Sequence, residues 1–218
     1  DFDKSGSSYT LKGNIPHYVS ESNTQPGMPK YKDLNGDGVI DTNDRTMIGR
    51  GLPIHTGGFT NNFEYKGFDL SVFFQWSYGN DVLNANRLFF DSGFQKKREL
   101  NQYASYTDRW TPENPNSNIP AATNSSSNLV ISSRVVEDAS FLRLKTVTLG
   151  YTVPKTFLKK YKIDNARLYV AAQNLWTITG YSGYDPEVSI RSGGLTPGLD
   201  FSSYPRALSV SFGINLGF

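Results

Sequence analysis

The end of this chain alternates strictly between apolar and small polar side chains. From position 208 onward, large apolar residues occupy every second position: Leu208, Val210, Phe212, Ile214, Leu216 and Phe218. The positions between them hold only Ser, Gly and Asn. A period of two places the two sets on opposite faces of a β-strand. The absence of charge on the polar face favours an outer-membrane barrel strand, with lipid on one side and a polar lumen on the other. A strand of a soluble sandwich is the alternative.

The composition agrees with a barrel and excludes several other classes of protein. Hydrophobic residues make up 37% of the chain, which is low for a compact core, whereas aromatic residues reach 14%. Polar loops attached to an aromatic-rich lipid face produce this combination. The net charge of +2 is small and dispersed, so no nucleic-acid partner is expected. The chain contains no Cys, which excludes thiolate metal sites and cysteine nucleophiles.

Five alternating segments predict five antiparallel strands. They lie at 58–66, 70–78, 141–153, 167–179 and 208–218. The phase of the third segment changes near 146–148, which predicts a β-bulge. The connections alternate in length: 65–69 and 154–165 are short, whereas 79–140 and 180–205 are long. Short turns on one side and long loops on the other are typical of outer-membrane barrels. A further short strand is expected near 9–11, and helices near 81–90 and 96–109.

The sharpest local motif is DLNGDGVIDTND at 33–44. Counted from its first residue, its spacing of oxygen-bearing side chains follows that of a calcium loop, with Gly38 at the sharp turn. The predicted ligands are Asp33, Asn35, Asp37, the Val39 carbonyl, Asp41 and Asp44. The last Asp replaces the usual bidentate Glu, so weaker affinity is expected. A metal-free acidic turn is the alternative, although repulsion among four aspartates argues against it.

Little in the sequence points to catalysis, and the chain is not expected to be an enzyme. His17 and His55 lie in loop-like sequence, with no Ser or Asp at recognisable spacing. Asp185 and Glu187 form a close carboxylate pair, as glycosidases require. A lone pair in a loop more commonly shapes a turn or accepts hydrogen bonds, so no catalytic residue is assigned.

Two other groups of residues carry a weaker signal. The cluster Lys155, Lys159, Lys160 and Lys162 is interpreted as a solvated turn, with binding to lipid phosphates as the alternative. Aromatic residues of the long loops could stack on a ligand such as a sugar ring, or could pack the loops together. The ligand-binding candidates are Trp110, Tyr181 and Tyr184.

Longer motifs follow one another along residues 30–218. They include YKDLNGDGVID at 31–41, YKGFDLS at 65–71, RWTPEN at 109–114, SFLRLKTVTLGY at 140–151, AQNLW at 172–176 and YDPE at 184–187, with a terminal Phe. In identity and order they resemble the carboxy-terminal part of SusC/RagA-type TonB-dependent outer-membrane transporters.

The resemblance implies an all-β fold, the last five or so strands of a large plugged antiparallel transmembrane barrel with long extracellular loops. Residues 1–57 would form an extracellular loop region with the calcium loop, and 58–218 the barrel strands and their loops. The carboxy-terminus would be periplasmic, with Phe218 as an assembly signal. Because the chain starts without a signal peptide, we expect a carboxy-terminal piece of a longer protein.

The resemblance also implies a function in the Gram-negative outer membrane. The protein would import oligosaccharides or oligopeptides, for example in glycan uptake, together with a SusD-type surface lipoprotein. TonB would engage an amino-terminal part. The alternative is a secreted calcium-dependent carbohydrate-binding or dockerin-like module, which would fold without detergent and carry a second calcium repeat. The sequence contains one such loop.

Overall fold

The computed structural model describes residues 1–21, 24–93, 101–124, 126–190 and 197–218. The chain forms two compact units that interleave along the sequence. The first comprises Asp1–Gly49, Leu83–Val136 and Asp200–Ser202, and the second comprises Arg50–Val82, Glu137–Leu199 and Ser203–Phe218.

Strands make up most of the regular secondary structure among the described residues. In chain order the elements are β1 (Phe2–Ser5), β2 (Ser8–Leu11), β3 (His17–Tyr18), β4 (Val39–Ile40), β5 (His55–Tyr65), β6 (Phe68–Tyr78), β7 (Asp81–Asn84), α1 (Ala85–Phe90), β8 (Val136–Asp138), β9 (Phe141–Thr152), α2 (Lys155–Leu158), β10 (Asn165–Thr179), β11 (Leu199–Asp200) and β12 (Ser209–Gly217). Short 3-10 helices cover Thr42–Asp44, Ala104–Asp108, Ser126–Leu129, Ser133–Val135 and Lys159–Tyr161. No helix among the described residues is both long and apolar enough to cross a bilayer.

The second unit contains a five-stranded antiparallel sheet in the order β5, β6, β9, β10, β12. Neighbours in the sheet are also neighbours among the five alternating segments, so the prediction of five antiparallel strands is confirmed. The strands have 11, 11, 12, 15 and 9 residues. Tilted strands of about 9–11 residues suffice to cross the hydrocarbon core of a bilayer.

The expected bulge lies at Lys145, one residue before the range that the sequence indicated. Phe73 of β6 pairs with Thr146, but the next residue, Phe74, pairs with Leu144. The extra residue changes the phase of β9 by one. Without it, Leu144 and Val147 would lie on opposite faces, because side chains alternate along a strand.

The connections differ at the two ends of the sheet. Two residues join β5 to β6, and a helical turn built of α2 and the 3-10 helix Lys159–Tyr161 joins β9 to β10. We call this the short-connection end. The opposite end carries the connections 79–140 and 180–208. Their described residues form loops that contain only short strands and helices.

The helix expected over 81–90 begins later than predicted. Residues Asp81–Asn84 form a strand, and α1 covers Ala85–Phe90. The Asn84 side chain caps the helix by accepting the N–H of Arg87 at 3.2 Å. Of the helix expected at 96–109, residues 96–100 lie outside the described residues, and Ala104–Asp108 is a 3-10 helix.

The first unit contains the amino-terminal hairpin and the acidic motif. Strands β1 and β2 pair as an antiparallel hairpin, so the strand expected near 9–11 is present as Ser8–Leu11. The short strands β3 and β4 pair in parallel, with His17 opposite Val39 and Tyr18 opposite Ile40. This pairing holds the central part of the acidic motif.

Candidate functional site

One face of the five-stranded sheet is predominantly apolar. Directly paired residues share a face, and alternate residues along each strand join them. The register therefore assigns to this apolar face Phe59, Phe63 and Tyr65 of β5, Phe68, Leu70, Val72, Phe74, Trp76 and Tyr78 of β6, Leu142, Leu144, Val147, Leu149 and Tyr151 of β9, Ala166, Leu168, Val170, Ala172, Trp176 and Ile178 of β10, and Val210, Phe212, Ile214 and Leu216 of β12. The remaining positions of this face, on β5, hold His55, Gly57 and Asn61. None of the paired positions on it carries an ionised carboxylate, Lys or Arg.

The apolar face is exposed rather than packed against a second layer. Phe212 is 82% exposed, Ile214 64% and Phe63 59%. Exposed apolar patches of this extent mark a surface that is covered by lipid or protein. Aromatic rings lie near both ends of the strands, with Trp76 and Trp176 towards the long connections.

The opposite face of the sheet is polar and carries the charged residues. Small residues such as Ser, Thr and Gly fill most of it, and an ion pair crosses it near the short-connection end. There Arg167 Nε lies 3.0 Å from Asp69 Oδ1. The pair passes directly over Gly150, where a Cβ atom would collide with both charged groups. Gly150 therefore makes room for a charged contact between β6 and β10 across β9.

A charged cluster with a buried centre lies near the long-connection end of the polar face. We call Arg143, Lys145, Asp185, Glu187 and Arg206 the Arg143 cluster. The Arg143 guanidinium is 2% exposed. Its Nη2 lies 2.5 Å from Asp185 Oδ1, and its Nη1 lies 3.2 Å from Glu187 Oε2. A forked guanidinium suits two carboxylates held side by side.

Further cations reach the same two carboxylates. Glu187 also receives Lys145 Nζ at 3.3 Å and Arg206 Nε at 2.8 Å. The backbone N–H of Arg206 donates to Asp185 Oδ2 at 3.0 Å. Three cations against two carboxylates leave the cluster with one net positive charge. Both carboxylates are thus engaged in ion pairs, and the Asp185–Glu187 pair has the hydrogen-bonding role that the sequence favoured over catalysis.

The environment of Asp185 favours its ionised form. Burial by itself would raise the pKa of this carboxyl. The Arg143 hydrogen bond and the backbone N–H groups of Glu187 and Arg206 outweigh burial, and the net pKa is lowered. At neutral pH the Asp185 carboxylate is charged and remains bonded to Arg143.

The two ends of the acidic motif hold its loop through backbone N–H groups. Asp33 accepts the N–H of Gly36 at 2.6 Å and that of Gly38 at 2.9 Å. Both glycines have positive φ, 78° and 84°, a conformation that L side chains rarely adopt. Asp44 accepts the N–H of Asp41 at 2.9 Å, and this bond is the first cause of the lowered pKa of Asp44.

The middle of the motif is organised in the same way. Asp37 Oδ1 accepts the N–H of Val39 at 2.8 Å, and its Oδ2 accepts the Asn35 side-chain amide at 2.9 Å. The carbonyls of Gly38 and Ile40 accept N–H groups of the β3 segment. Because carbonyls alternate along a strand, that of Val39 points to the other side. The donor atoms suit calcium, yet across the described residues no three acidic or His side chains are arranged to hold a metal ion.

The aromatic ligand candidates occupy three different environments. Trp110 packs over Gly27 and borders a shallow cavity of about 180 Å³, together with Met28, Ser117 and Pro120. Tyr184 is 78% exposed. Tyr181 is 5% exposed, and it packs with Val82 and Ala139 in a small core. Its ring packs the loop, which is the alternative that the sequence left open for the aromatic residues.

One element of this arrangement was missed at the level of sequence. The Arg143 cluster joins residues that lie 42 positions apart, and only the adjacent Arg-Leu-Lys pattern and the Asp-Pro-Glu spacing hinted at it. Phe218, the predicted assembly signal, is 85% exposed beyond the end of β12.

Comparison with known proteins identifies relatives over nearly the whole chain. No family model matches it. TonB-dependent receptor P3 from Formosa agariphila is 38% identical over 213 residues, which are 94% of this chain and 21% of the receptor. TonB-dependent receptor SusC from Bacteroides thetaiotaomicron is 28% identical over 201 residues, 92% of this chain and 18% of SusC. The chain spans about a fifth of the length of the curated relatives it matches.

Solved structures give the same result for the fold. The RagAB peptide transporter matches with a TM-score of 0.68 and 25% identity, over 96% of this chain and 21% of that chain. The RagAB peptide importer in its closed-closed state matches with a TM-score of 0.70 and 26% identity. The chain is homologous to one segment of TonB-dependent receptors such as SusC, and its antiparallel sheet has the fold of the corresponding part of the transporter barrel.

Proposed function

From this homology to TonB-dependent receptors, we propose that the protein carrying this chain is an outer-membrane importer and that the chain forms part of its barrel wall. The observation that supports it best is the contrast between the two faces of the sheet. A face without formal charge across five strands suits lipid, and a face with Ser, Thr and ion pairs suits a polar lumen. The names of the relatives are those of receptors and importers, which agrees with transport rather than catalysis.

The orientation follows from the lengths of the connections. Outer-membrane barrels have short periplasmic turns and longer extracellular loops. On this basis the short-connection end faces the periplasm, together with Phe218. The segments 79–140 and 180–208 then lie outside, where loops meet a substrate. The Arg143 cluster would secure the second of these loops to the barrel wall.

The cargo is proposed to be an oligopeptide or an oligosaccharide. RagAB is a peptide transporter, which supports the first class. The similarity to SusC supports the SusC-type organisation, with a SusD-type lipoprotein over the outer opening and TonB as the source of energy. Exposed Tyr184 and partly exposed Trp110 are the proposed ligand contacts, since flat rings stack on sugar and peptide groups.

Uptake by whole cells tests this function. Cells with the complete protein would be compared with a deletion strain, using one labelled mixture of oligopeptides and one of oligosaccharides. A TonB-deficient strain is the control for energised transport. We expect one mixture to enter only when both the protein and TonB are present. Equal uptake of both mixtures by all three strains would contradict the proposal.

We propose separately that the loop at 33–44 binds one calcium ion, through Asp33, Asn35, Asp37, the Val39 carbonyl, Asp41 and Asp44. An ionised carboxylate offers about four lone-pair sites, so an oxygen that accepts one N–H can still bind a cation. Binding would require small rotations of these side chains towards a common centre. The ion would be structural and would stiffen the loop.

The rival function, a secreted calcium-dependent carbohydrate-binding or dockerin-like module, does not account for the apolar sheet face.

A further inference from the structure

The turn between β9 and β10 combines basic and aromatic side chains on its exposed surface. We call residues 154–164 the basic turn. Leu158 is 7% exposed and fixes the turn to the protein, whereas Phe157 is 70% and Tyr161 68% exposed. The turn therefore exposes two aromatic rings, Phe157 of α2 and Tyr161 of the 3-10 helix Lys159–Tyr161.

The described residues do not compensate the charge of the basic turn. It contains the four lysines Lys155, Lys159, Lys160 and Lys162 against one acidic residue, Asp164. In the part of the chain that the structure describes, none of the four lysine ammonium groups has an ion-pair or hydrogen-bond partner. Four minus one leaves three positive charges on a short segment.

The basic turn lies at the short-connection end, where the strands of the apolar face end in aromatic rings. There Tyr65 pairs with Phe68, and the Phe68 and Tyr151 rings lie 4.6 Å apart. Lys66, in the neighbouring turn, places its ammonium 5.1 Å from the Tyr65 ring centroid. The apolar strands thus end in aromatic rings, and lysines lie beyond the rings. Aromatic and basic side chains in this order match the passage from hydrocarbon to headgroups at a membrane surface.

We propose that the basic turn binds the headgroup layer of anionic phospholipids, with Phe157 and Tyr161 inserted between headgroups and the four lysines on the phosphates. This inference rests on the proposed position of the strands in a bilayer. Each lysine near an anionic membrane surface contributes about fivefold to binding. The turn would thereby act as an anchor that sets the depth of β9 and β10 in the membrane.

Fluorescent labels at two positions test this proposal independently of the proposed function. The chain has no Cys, so Phe157→Cys and Ile214→Cys introduce attachment sites for an NBD fluorophore, in the turn and on the apolar face. The complete protein, with any other thiols removed, is reconstituted into vesicles of phosphatidylcholine or of phosphatidylcholine with a quarter phosphatidylglycerol. Spin labels on the lipid headgroup or on the acyl chain then quench the fluorophore.

We expect headgroup quenching at position 157 and acyl-chain quenching at position 214. Contact of the turn with headgroups should be favoured by at least about fivefold when phosphatidylglycerol is present, which is the contribution of a single lysine. Changing all four lysines to Gln should abolish the preference for phosphatidylglycerol, and changing them to Arg should retain it. Changing Lys4, Lys12, Lys30 and Lys32 to Gln removes the same charge elsewhere and should leave it unaltered.

The contradicting outcomes are distinguishable. If position 214 is quenched but position 157 is not, the turn is solvated and this inference is wrong while the barrel stands. The inference is equally wrong if the preference survives the four Gln changes, because the lysines are then not its cause. If position 214 is not quenched by acyl-chain labels, the strands do not face lipid. The proposed function and this inference then both fail.

Discussion

Arg143 and Asp185 form an ion pair of 2.5 Å although 42 residues separate them, and both side chains are almost fully buried. The pair joins strand β9 to the long connection that follows β10. A buried charge that loses its partner is costly, because neither water nor another group compensates it. The contact therefore decides how firmly this loop is held to the polar face of the sheet.

Replacing one partner of this pair should release the loop. We expect Arg143→Met to lower the free energy of unfolding by about 3–5 kcal/mol, because it leaves two carboxylates without their main cation. Protease digestion of the folded protein should then cut between 180 and 190 faster than in the wild type. Lys145→Met is the matched control, since the partly exposed Lys145–Glu187 pair is worth about 1 kcal/mol or less. Equal digestion of both variants would contradict a special role of Arg143.

The Arg143–Asp185 pair also predicts that the stability of this loop depends on pH. The folded pKa of Asp185 is lowered, so its stabilising contribution is present above the unfolded pKa of about 3.9. That contribution decreases as the pH falls through the folded pKa. Hydrogen exchange at the Glu187 amide, whose N–H donates to Asp185 at 2.9 Å, should accelerate under acid beyond the intrinsic rate. Asp185→Asn should show fast exchange already at pH 7, with no additional acid step.

A charge on the apolar face should prevent membrane insertion. We expect Phe212→Lys to destabilise the membrane-inserted protein by about 2–4 kcal/mol if the position lies near the bilayer midplane. The amount of protein in outer-membrane fractions should fall accordingly. Ser211→Lys places the same charge on the neighbouring polar position and should be tolerated. The wild type should also need detergent to stay monodisperse. Tolerance of both lysines, or a monodisperse protein in plain buffer, would exclude the lipid-facing assignment.

The terminal residue should affect assembly more than stability. Phe218 is exposed and lies outside β12, so its removal deletes little packing. If it is an assembly signal, deleting it should reduce insertion into the outer membrane of cells while leaving the thermal stability of the purified protein unchanged. Leu208→Ala, an exposed residue just before β12, serves as the control. Normal insertion without Phe218 would argue against a signal.

The acidic loop should bind calcium in solution. Calorimetric titration of chelator-treated protein should show one site, and Asp37→Ala should weaken it by at least tenfold because one charged ligand is lost. Asp3→Ala removes an equal charge from strand β1 and should leave the affinity unchanged. Magnesium should bind less well, since it requires a tighter octahedron. Identical titrations of wild type and Asp37→Ala would identify the motif as a metal-free turn held by its own N–H groups.

The strands and their order could be predicted from the sequence because alternation is a local property. Each side chain on β12 faces opposite to its neighbours, so the positions from 208 to 218 indicate both a strand and its two environments. The hairpin β5–β6 follows for the same reason, as only Lys66 and Gly67 separate its strands. The bulge was foreseen from a change of phase, and its position at Lys145 emerged only from the pairing of β9 with β6.

Contacts across long connections could be decided only by the tertiary structure. Nothing near Arg143 in the sequence selects Asp185, because the partner of a buried charge depends on where a long loop returns to the sheet. The role of Tyr181 could not be predicted from the sequence for the same reason. Its aromatic ring is suited both to ligand contact and to a core, and its packing against Val82 and Ala139 in the folded protein buries it. The sequence determined periodic, local features, and folding alone brought distant groups into the distances at which charge and packing act.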